Sequence, residues 1–433
     1  MRKRVWIIIM AFILLLLAGT ACGGDEETQV EESPGTVEEQ YADGPVELLM
    51  IDRNSGFKEE ELEILQAEVS AKYPEISIEL VKGAMDNYIT SGNIPDLALG
   101  SNFHFYLFTN IDYPEDLTEV VKRFEVDLDR YDPVVLNEMY RLGNDREGLF
   151  GLAFGVNYGA TVYNKDIFDR FGVDYPTADV TWDDLIEYAR RMTKEEDGIQ
   201  YIGATPYGIR LMLNQAGVAS MDPSGEKAIF NTDGHRELFS LLKTWFEIPN
   251  YVENDVHIYS VLEFFKEQRV GVVPYWTAGT LNQLIVQQPT FDWDITAVPT
   301  FKEDPKQGYP TDFHSVVVSQ TSEHKEAAYR VAMTLISDEL QMKFSKNGRI
   351  SPLKSEEIRA AYGADAGILE GKNISDVFQV SPAPVPVYSK YAPDVWPYLN
   401  EIAKSIAVDQ LDVNTAMREA EEAANQKIQE QKQ

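Results

Sequence analysis

What the chain has least of limits it first. Of its 433 residues one is cysteine, Cys22, so no intrachain disulfide and no thiolate metal cluster can form. Five histidines (His104, His235, His257, His314, His324) are scattered, and none stands in HExxH or at another ligand spacing. No metal and no cofactor is expected. Positive charge is also scarce: 38 basic against 71 acidic residues leave a formal net charge of −33. Phosphate backbones are bound through a basic face, so nucleic acid is not an expected partner. The acidity favours solubility and disfavours anionic ligands unless a local basic pocket overrides it. Past the N-terminus there is no second long apolar run.

What is present begins with that N-terminus. Arg2, Lys3 and Arg4 precede a wholly apolar stretch from Val5 to Ala18, the length of a signal-peptide core and short for a stable span. Gly19-Thr20-Ala21-Cys22 resembles a bacterial lipoprotein cleavage box, in which the cysteine is acylated and becomes the first mature residue. A simple secretory signal with a chance cysteine and an uncleaved anchor are the alternatives. Residues 22–44 are acidic, carry Ser, Pro and Gly, and hold few large apolar side chains, which describes a disordered tether. Removing residues 1–21 takes three basic residues away and shifts the net charge from −33 to −36. Stable anchoring takes two or more acyl chains, which a lipoprotein cysteine carries.

The remaining length suggests two domains, or about three. Val46–Ile51 reads as a strand ending in the polar tip Asp52-Arg53-Asn54-Ser55-Gly56. Phe57 to Lys72 reads as a helix with Leu62, Leu65 and Val69 on its inner face, stopped at Tyr73-Pro74. Ile76–Val81 and Leu97–Leu99 are further strands, the latter followed by the tip Gly100 to Phe105. This rhythm predicts an open, mostly parallel sheet, with ligands beyond the carboxyl ends of its strands. The two tips would then share one rim.

Residues 148–166 are the pivot. Gly151, Gly155 and Gly159 recur in an otherwise strand-like run that ends in Tyr163-Asn164-Lys165-Asp166. Interior glycine weakens a strand unless the backbone bends or something approaches closely. The run is either an ordinary core strand or a hinge strand leaving one domain for another past a ligand. Thr181 with Asp184 forms a capping-box pattern, which makes the Asp183-Asp184 pair first-turn acids rather than catalytic carboxylates. Trp276, at a strand-to-helix turn beside Thr277 and Gly279, can stack on an apolar ligand face or cap a core. Ser381 to Pro386 reads as an extended connector, Trp396-Pro397-Tyr398 as a helix start, and Asn414 to Gln429 as a surface helix packed by Ala416, Ala420 and Ala423/Ala424.

Several of these stretches together resemble one family. They are Phe150-Gly151-Leu152-Ala153-Phe154, Tyr163 to Phe168, Gly172 to Pro176, Thr181 to Leu185, Ser91 to Asp96, Pro274-Tyr275-Trp276, Ser322 to Tyr329, Ser337 to Gln341 and Gly348 to Pro352. Together they resemble the family 1 extracellular solute-binding proteins of ABC importers, the maltose-binding-protein-like group. The resemblance implies an α/β, two-lobed periplasmic-binding-protein-like fold (type II), each lobe a mostly parallel sheet flanked by helices. It places the N-terminal lobe at 45–155 plus 299–350 and the C-terminal lobe at 156–298 plus 351–433. Hinge crossings would fall in the 148–166 stretch and at Ala297 to Phe301.

The resemblance also implies ligand contacts at Asp52, Arg53 and Asn54, at Asn102, Phe103 and His104, and at Asn157, Trp276 and Trp396. Asp312 and Arg349 complete the expected set. The implied function is a lipid-anchored binding protein, not an enzyme, at the extracellular face of a bacterial cell membrane. It would be a monomer that captures a solute, a mono- or oligosaccharide above all, and delivers it to ABC permease subunits. A secreted carbohydrate-active enzyme, or a ligand-sensing surface protein without transport, are the alternatives. Acids are abundant, but none stands with a recognisable partner for glycoside hydrolysis.

Overall fold

A computed structural model describes residues 44–143, 146–385 and 389–432. The leader, Cys22 and residues 22–43 of the tether lie outside the described residues. Twelve strands follow in chain order: β1 Val46–Arg53, β2 Ile76–Val81, β3 Leu97–Ser101, β4 Leu152–Asn157, β5 Gly159–Asn164, β6 Lys194–Glu196, β7 Ile199–Tyr201, β8 Val272–Trp276, β9 Trp293–Ala297, β10 Gln307–Pro310, β11 Asp312–Val318 and β12 Ser381–Ala383.

The fold is α/β and two-lobed, each lobe built on one principal sheet flanked by helices. The first sheet has the order β2-β1-β3-β11-β4. β1 runs parallel to β2 and β3, and β11 is antiparallel to both β3 and β4. The second sheet is β8-β5-β9, and both of its pairings are antiparallel. Within the two principal sheets the expected parallel pairing therefore holds only among β1, β2 and β3. Every residue of β3, β5 and β9 is buried, as suits strands covered on both faces. Two small ribbons, β6–β7 and β10–β12, complete the strands, so the Ser381-Pro382-Ala383 connector is itself a paired strand.

The helix Glu59–Lys72 shows how local pattern and tertiary demand compete. Its buried residues are Glu61, Leu65 and Val69, where the apolar pattern favours Leu62, Leu65 and Val69. A buried glutamate replaces a leucine on the inner face because Arg349, 288 residues on, takes its charge. The capping box at Thr181 forms as expected: the Asp184 carboxylate accepts from Thr181 N at 2.9 Å. Asn164 caps the helix Lys165–Phe171, accepting from Ile167 N at 3.3 Å, so Tyr163 to Asp166 are a strand end and a helix start. The C-terminal helix Val413–Gln431 buries Ala416, Met417, Ala420, Ala424 and Ile428, with Ala423 exposed. The helix expected to open at Trp396 runs instead from Ala392 to Ala407, because Pro393 occupies its first turn, where no backbone N–H is needed.

The first crossing falls inside the expected stretch 148–166, though past the lobe boundary expected at 155, and the return falls later than expected. β4 pairs with β11 as far as Asn157, opposite Asp312, and β5 starts two residues on, at Gly159. The change of sheet falls on Tyr158, not after Gly155. The return falls at Thr311, not after Val298. Thr300 bridges to Thr181, and β10 pairs with β12, which keeps residues 299–310 on the second lobe. Past Ile350, which bridges to Val156, Leu353 still bridges to Tyr131 on the first lobe.

Candidate functional site

The site is assembled where the two sheets meet. Its hub is Asn157, the last residue of β4. Asn157 Oδ1 accepts from Thr277 Oγ1 and from Ala278 N, both at 3.0 Å, and Asn157 Nδ2 donates to Asp312 Oδ2 at 3.2 Å. One amide therefore ties the end of β4 to the start of the helix Thr277–Gln287 and to the start of β11. Tyr158 adds a reciprocal pair: its O accepts from Thr277 N at 2.9 Å, and its N donates to Thr277 Oγ1 at 3.2 Å.

Asp312 is buried. Its carboxylate accepts from Ser101 Oγ at 2.6 Å as well as from Asn157. Burial pushes its pKa up to about 6, against the lowering effect of those bonds and of Arg210 and Arg349. His314, two residues on, lies with Nε2 3.8 Å from Asp312 Oδ2. Burial, and secondarily the Arg349 guanidinium, hold its pKa well below the ordinary range, so it stays neutral and accepts from Arg349 Nη1 at 2.7 Å.

Arg349 spends all five of its N–H donors inside the protein. Nε and Nη2 grip the Glu61 carboxylate, Nη1 reaches His314 and Ser55 O, and Nη2 also reaches Gly56 O. It stands beside the crossing, but no donor is left for a ligand. Asn157 and Asp312 are likewise committed to each other and to Ser101, Thr277 and Ala278. Gly155 is what lets Arg349 in: a Cβ there would lie 2.9 Å from Arg349 Cδ. At Gly159 it would lie 2.7 Å from Tyr309 Cδ2. Neither glycine has a positive φ, so close approach, not backbone freedom, explains them.

The strand tips divide in the same way. The Asp52 carboxylate closes its own loop, accepting from Ser55 Oγ at 2.6 Å and Ser55 N at 2.9 Å. Asn54 sits exposed at the loop apex with φ 66°. The Asn102 amide stitches β3 to β11, donating to Thr311 O and accepting from Phe313 N, both at 3.0 Å. Arg53 Nη1 donates to Gly83 O at 2.9 Å, while its Nε is buried without a hydrogen-bond partner. His104 Nδ1 is also buried without one.

The aromatic residues do converge. Phe103, from the tip after β3, lies with its ring 6.2 Å from Trp276 at the end of β8, so the two sheets touch through these rings. Trp276 meets Tyr309 edge-on at 5.5 Å. Between Phe103 and Trp396 stands Arg210, its guanidinium carbon 4.2 Å from the Trp396 ring and 5.4 Å from the Phe103 ring. Arg210 is absent from the residues expected on sequence grounds. The available signal was the turn Pro206-Tyr207-Gly208, with Gly208 at φ 90°, which delivers Arg210 into the first turn of the helix Ile209–Gln215. Two crevices flank the crossing. One lies beside Tyr158 and Tyr309; the other lies between Ser55-Gly56, Thr277 to Leu281 and Asn347 to Ile350. Neither is lined by Phe103, Trp276, Trp396 or Arg210.

Among the described residues no group of three or more His, Cys, Asp or Glu could hold a metal ion. Among them, too, no helix is long and apolar enough to cross a membrane.

Comparison with known proteins gives a consistent answer. The family described as bacterial extracellular solute-binding protein matches over residues 58–342. Binding proteins of Brucella abortus and Brucella suis are 26% identical over 237 residues, covering 49% of this chain and 53% of theirs. The chain thus spans about half the length of the curated relatives it matches. Among solved structures, an ABC substrate-binding protein of Listeria monocytogenes in complex with cycloalternan has a TM-score of 0.69 at 18% identity, over 89% of this chain and 99% of that one. A sugar transporter of Rhizobium etli in an open conformation has a TM-score of 0.70 at 18% identity, over 88% and 99%. The sugar-binding protein of Xanthomonas citri has a TM-score of 0.67 at 15% identity, over 89% and 98%. At these identities the structures speak to the fold.

Proposed function

Because the chain belongs to the bacterial extracellular solute-binding proteins, a family of binding proteins and not of enzymes, we propose that it captures a carbohydrate between its two lobes and passes it to an ABC importer. The observation that carries this reading is the meeting of Phe103 and Trp276, one ring from each lobe, 6.2 Å apart with Trp396 close by on Arg210. Aromatic faces pack on the C–H surfaces of a sugar ring, and a closing cleft excludes water so that hydrogen bonds to hydroxyls count in full. The rings pack on their neighbours, so the lobes must part to admit a sugar. The open conformation of the Rhizobium etli structure and the sugar complexes among similar folds support that motion. Closure then follows from the ligand's contacts with both lobes. Trp276, Phe103, Trp396 and Arg53 face the ligand in this reading, and Asn157, Asp312 and Arg349 set the crossing on which the lobes turn. The protein acts as a monomer at the outer face of the cell membrane, held by a lipid on Cys22, and serves a permease.

The test is a thermal-shift and tryptophan-fluorescence screen of the full chain over mono- and oligosaccharides, with amino acids and peptides as controls. A specific saccharide should change Trp emission. At a hundred times its Kd it should stabilise the fold by about 2.7 kcal/mol. Appearance of a hydrolysis product, or a response to peptides alone, would refute the proposal. Anchoring is tested separately: Cys22→Ser should move the protein from the membrane fraction to the medium, and retention at the membrane would refute the lipid.

A further inference from the structure

Positive charge without an acidic partner gathers at the rim between the lobes. Among the described arginines, only Arg53, Arg191 and Arg210 lack a carboxylate within 4 Å, in a chain where acids outnumber bases 71 to 38. Arg191 lies exposed on a helix and donates to Gly172 O. The other two stand at the inter-lobe rim, where both lie close enough to His104 to depress its pKa further below what burial does. Arg53, Arg210 and His104 carry three buried nitrogens without a hydrogen-bond partner: Arg53 Nε, His104 Nδ1 and Arg210 Nη1. An orphaned buried donor costs about 1–3 kcal/mol, more when charged, so Arg53 Nε and Arg210 Nη1, on arginines that also lack a carboxylate, point to a partner outside the chain itself.

Arg210 is presented for such a partner. The Trp396 and Phe103 rings attract the guanidinium through their π-faces, at 4.2 and 5.4 Å, and restrain its plane. An arginine held by its face keeps its edge donors for a planar or tetrahedral anion. The neighbouring Asp312 carboxylate does not take that role. Asp312 is already satisfied by Ser101 and Asn157. A local pair of unpaired arginines that could override an acidic chain is therefore present.

We infer that the cargo is an acidic saccharide, one whose carboxylate or phosphate group is seated on Arg210 with Arg53 and His104 beside it. This rests on the carbohydrate reading above and narrows it. The bound anion would also oppose the two arginines' effect on His104, so that histidine takes up protons more readily in the complex.

The experiment is isothermal titration of the full chain with glucuronate, galacturonate, digalacturonate and glucose 6-phosphate against glucose, galactose and maltose. An acid should bind at least about tenfold tighter than its neutral counterpart, as hydrogen bonds to a charged group predict. Its affinity should fall with salt while that of the neutral sugar does not. Arg210→Gln and, separately, Arg53→Gln should each reduce the acid-to-neutral ratio about tenfold or more, with the unliganded melting temperature recorded to confirm folding. Either acid meeting the ratio supports the inference, and the uronate and phosphate arms identify the group. A neutral sugar bound as tightly as its acid, or a ratio that survives both substitutions, overturns it and leaves the carbohydrate reading standing. Failure of every saccharide, acidic and neutral, overturns both.

Discussion

Replacing Asp312 by asparagine isolates the electrostatic state of the crossing. Its carboxyl is buried, with pKa about 6 against an ordinary 3.8. An acid whose pKa is raised on folding holds its proton in the native state while the unfolded chain releases it. Stability from this group is therefore unaffected below pH 3.8, falls as pH rises through 3.8 to 6, and is fully reduced above. At 1.36 kcal/mol per unit the loss is about 3 kcal/mol. The substituted amide would keep an oxygen for Ser101 Oγ but would turn an N–H toward Asn157 Nδ2, at a cost of about 1–3 kcal/mol that does not vary with pH. The difference in stability between Asp312→Asn and wild type should thus swing by about 3 kcal/mol in the variant's favour between about pH 3 and pH 8. For roughly 390 folded residues the unfolding entropy is about 0.8 kcal/mol per kelvin, so melting curves taken across that range should show a relative shift of about 3–4 °C. Parallel pH profiles for the two proteins would refute the argument and with it the dry environment assigned to the Asn157–Asp312 contact.

Other perturbations test other parts. Trp276→Ala should weaken binding of the identified sugar by about 1–3 kcal/mol in titration calorimetry, and unchanged affinity would make Trp276 a packing residue only. His235 is buried, with its pKa lowered to about 4 chiefly by desolvation, and it is hydrogen-bonded to Thr232 at 2.8 Å. The unfolded chain takes up its proton first, so wild type should lose about 3 kcal/mol between pH 6.5 and pH 4 from this residue, and His235→Gln should remove that slope from a denaturant titration. Gly155→Ala should destabilise the fold by about 1–3 kcal/mol, because the Arg349 side chain 2.9 Å away is pinned and cannot yield; an unchanged melting temperature would contradict this.

Much of the frame is legible in the sequence because it is local. The strand-and-helix rhythm of residues 46–99, the cap at Thr181 and the alanine stripe of the last helix each follow from neighbours within a few positions. The glycines of residues 148–166 announce a close approach, though not that Arg349 and Tyr309 make it. The site is less legible for the same reason. Asp52, Asn102 and Arg349 are polar and at the rim, yet their hydrogen bonds are spent within the protein, and pairing partners up to 294 residues distant decide that. Arg210 has no motif of its own; its meaning arises only when Phe103 and Trp396, from opposite sides in sequence, close on it. The second sheet's antiparallel pairing is equally hidden, since β5, β8 and β9 are apolar runs that would suit either direction.

The position of β11 has a consequence for how the protein comes to be folded. It lies between β3 and β4 in the first sheet, yet it is made after the whole of the second sheet. A chain emerging N-terminus first has β1, β2 and β3 paired early, and then carries open hydrogen-bonding edges on β3 and β4 through more than a hundred residues of synthesis. Closing them brings together residues about 215 apart, a slow step by the entropy of the loop alone. Meanwhile the second sheet needs nothing from β11 and can form independently. The first sheet is thus completed by insertion of a middle strand rather than addition of an outer one.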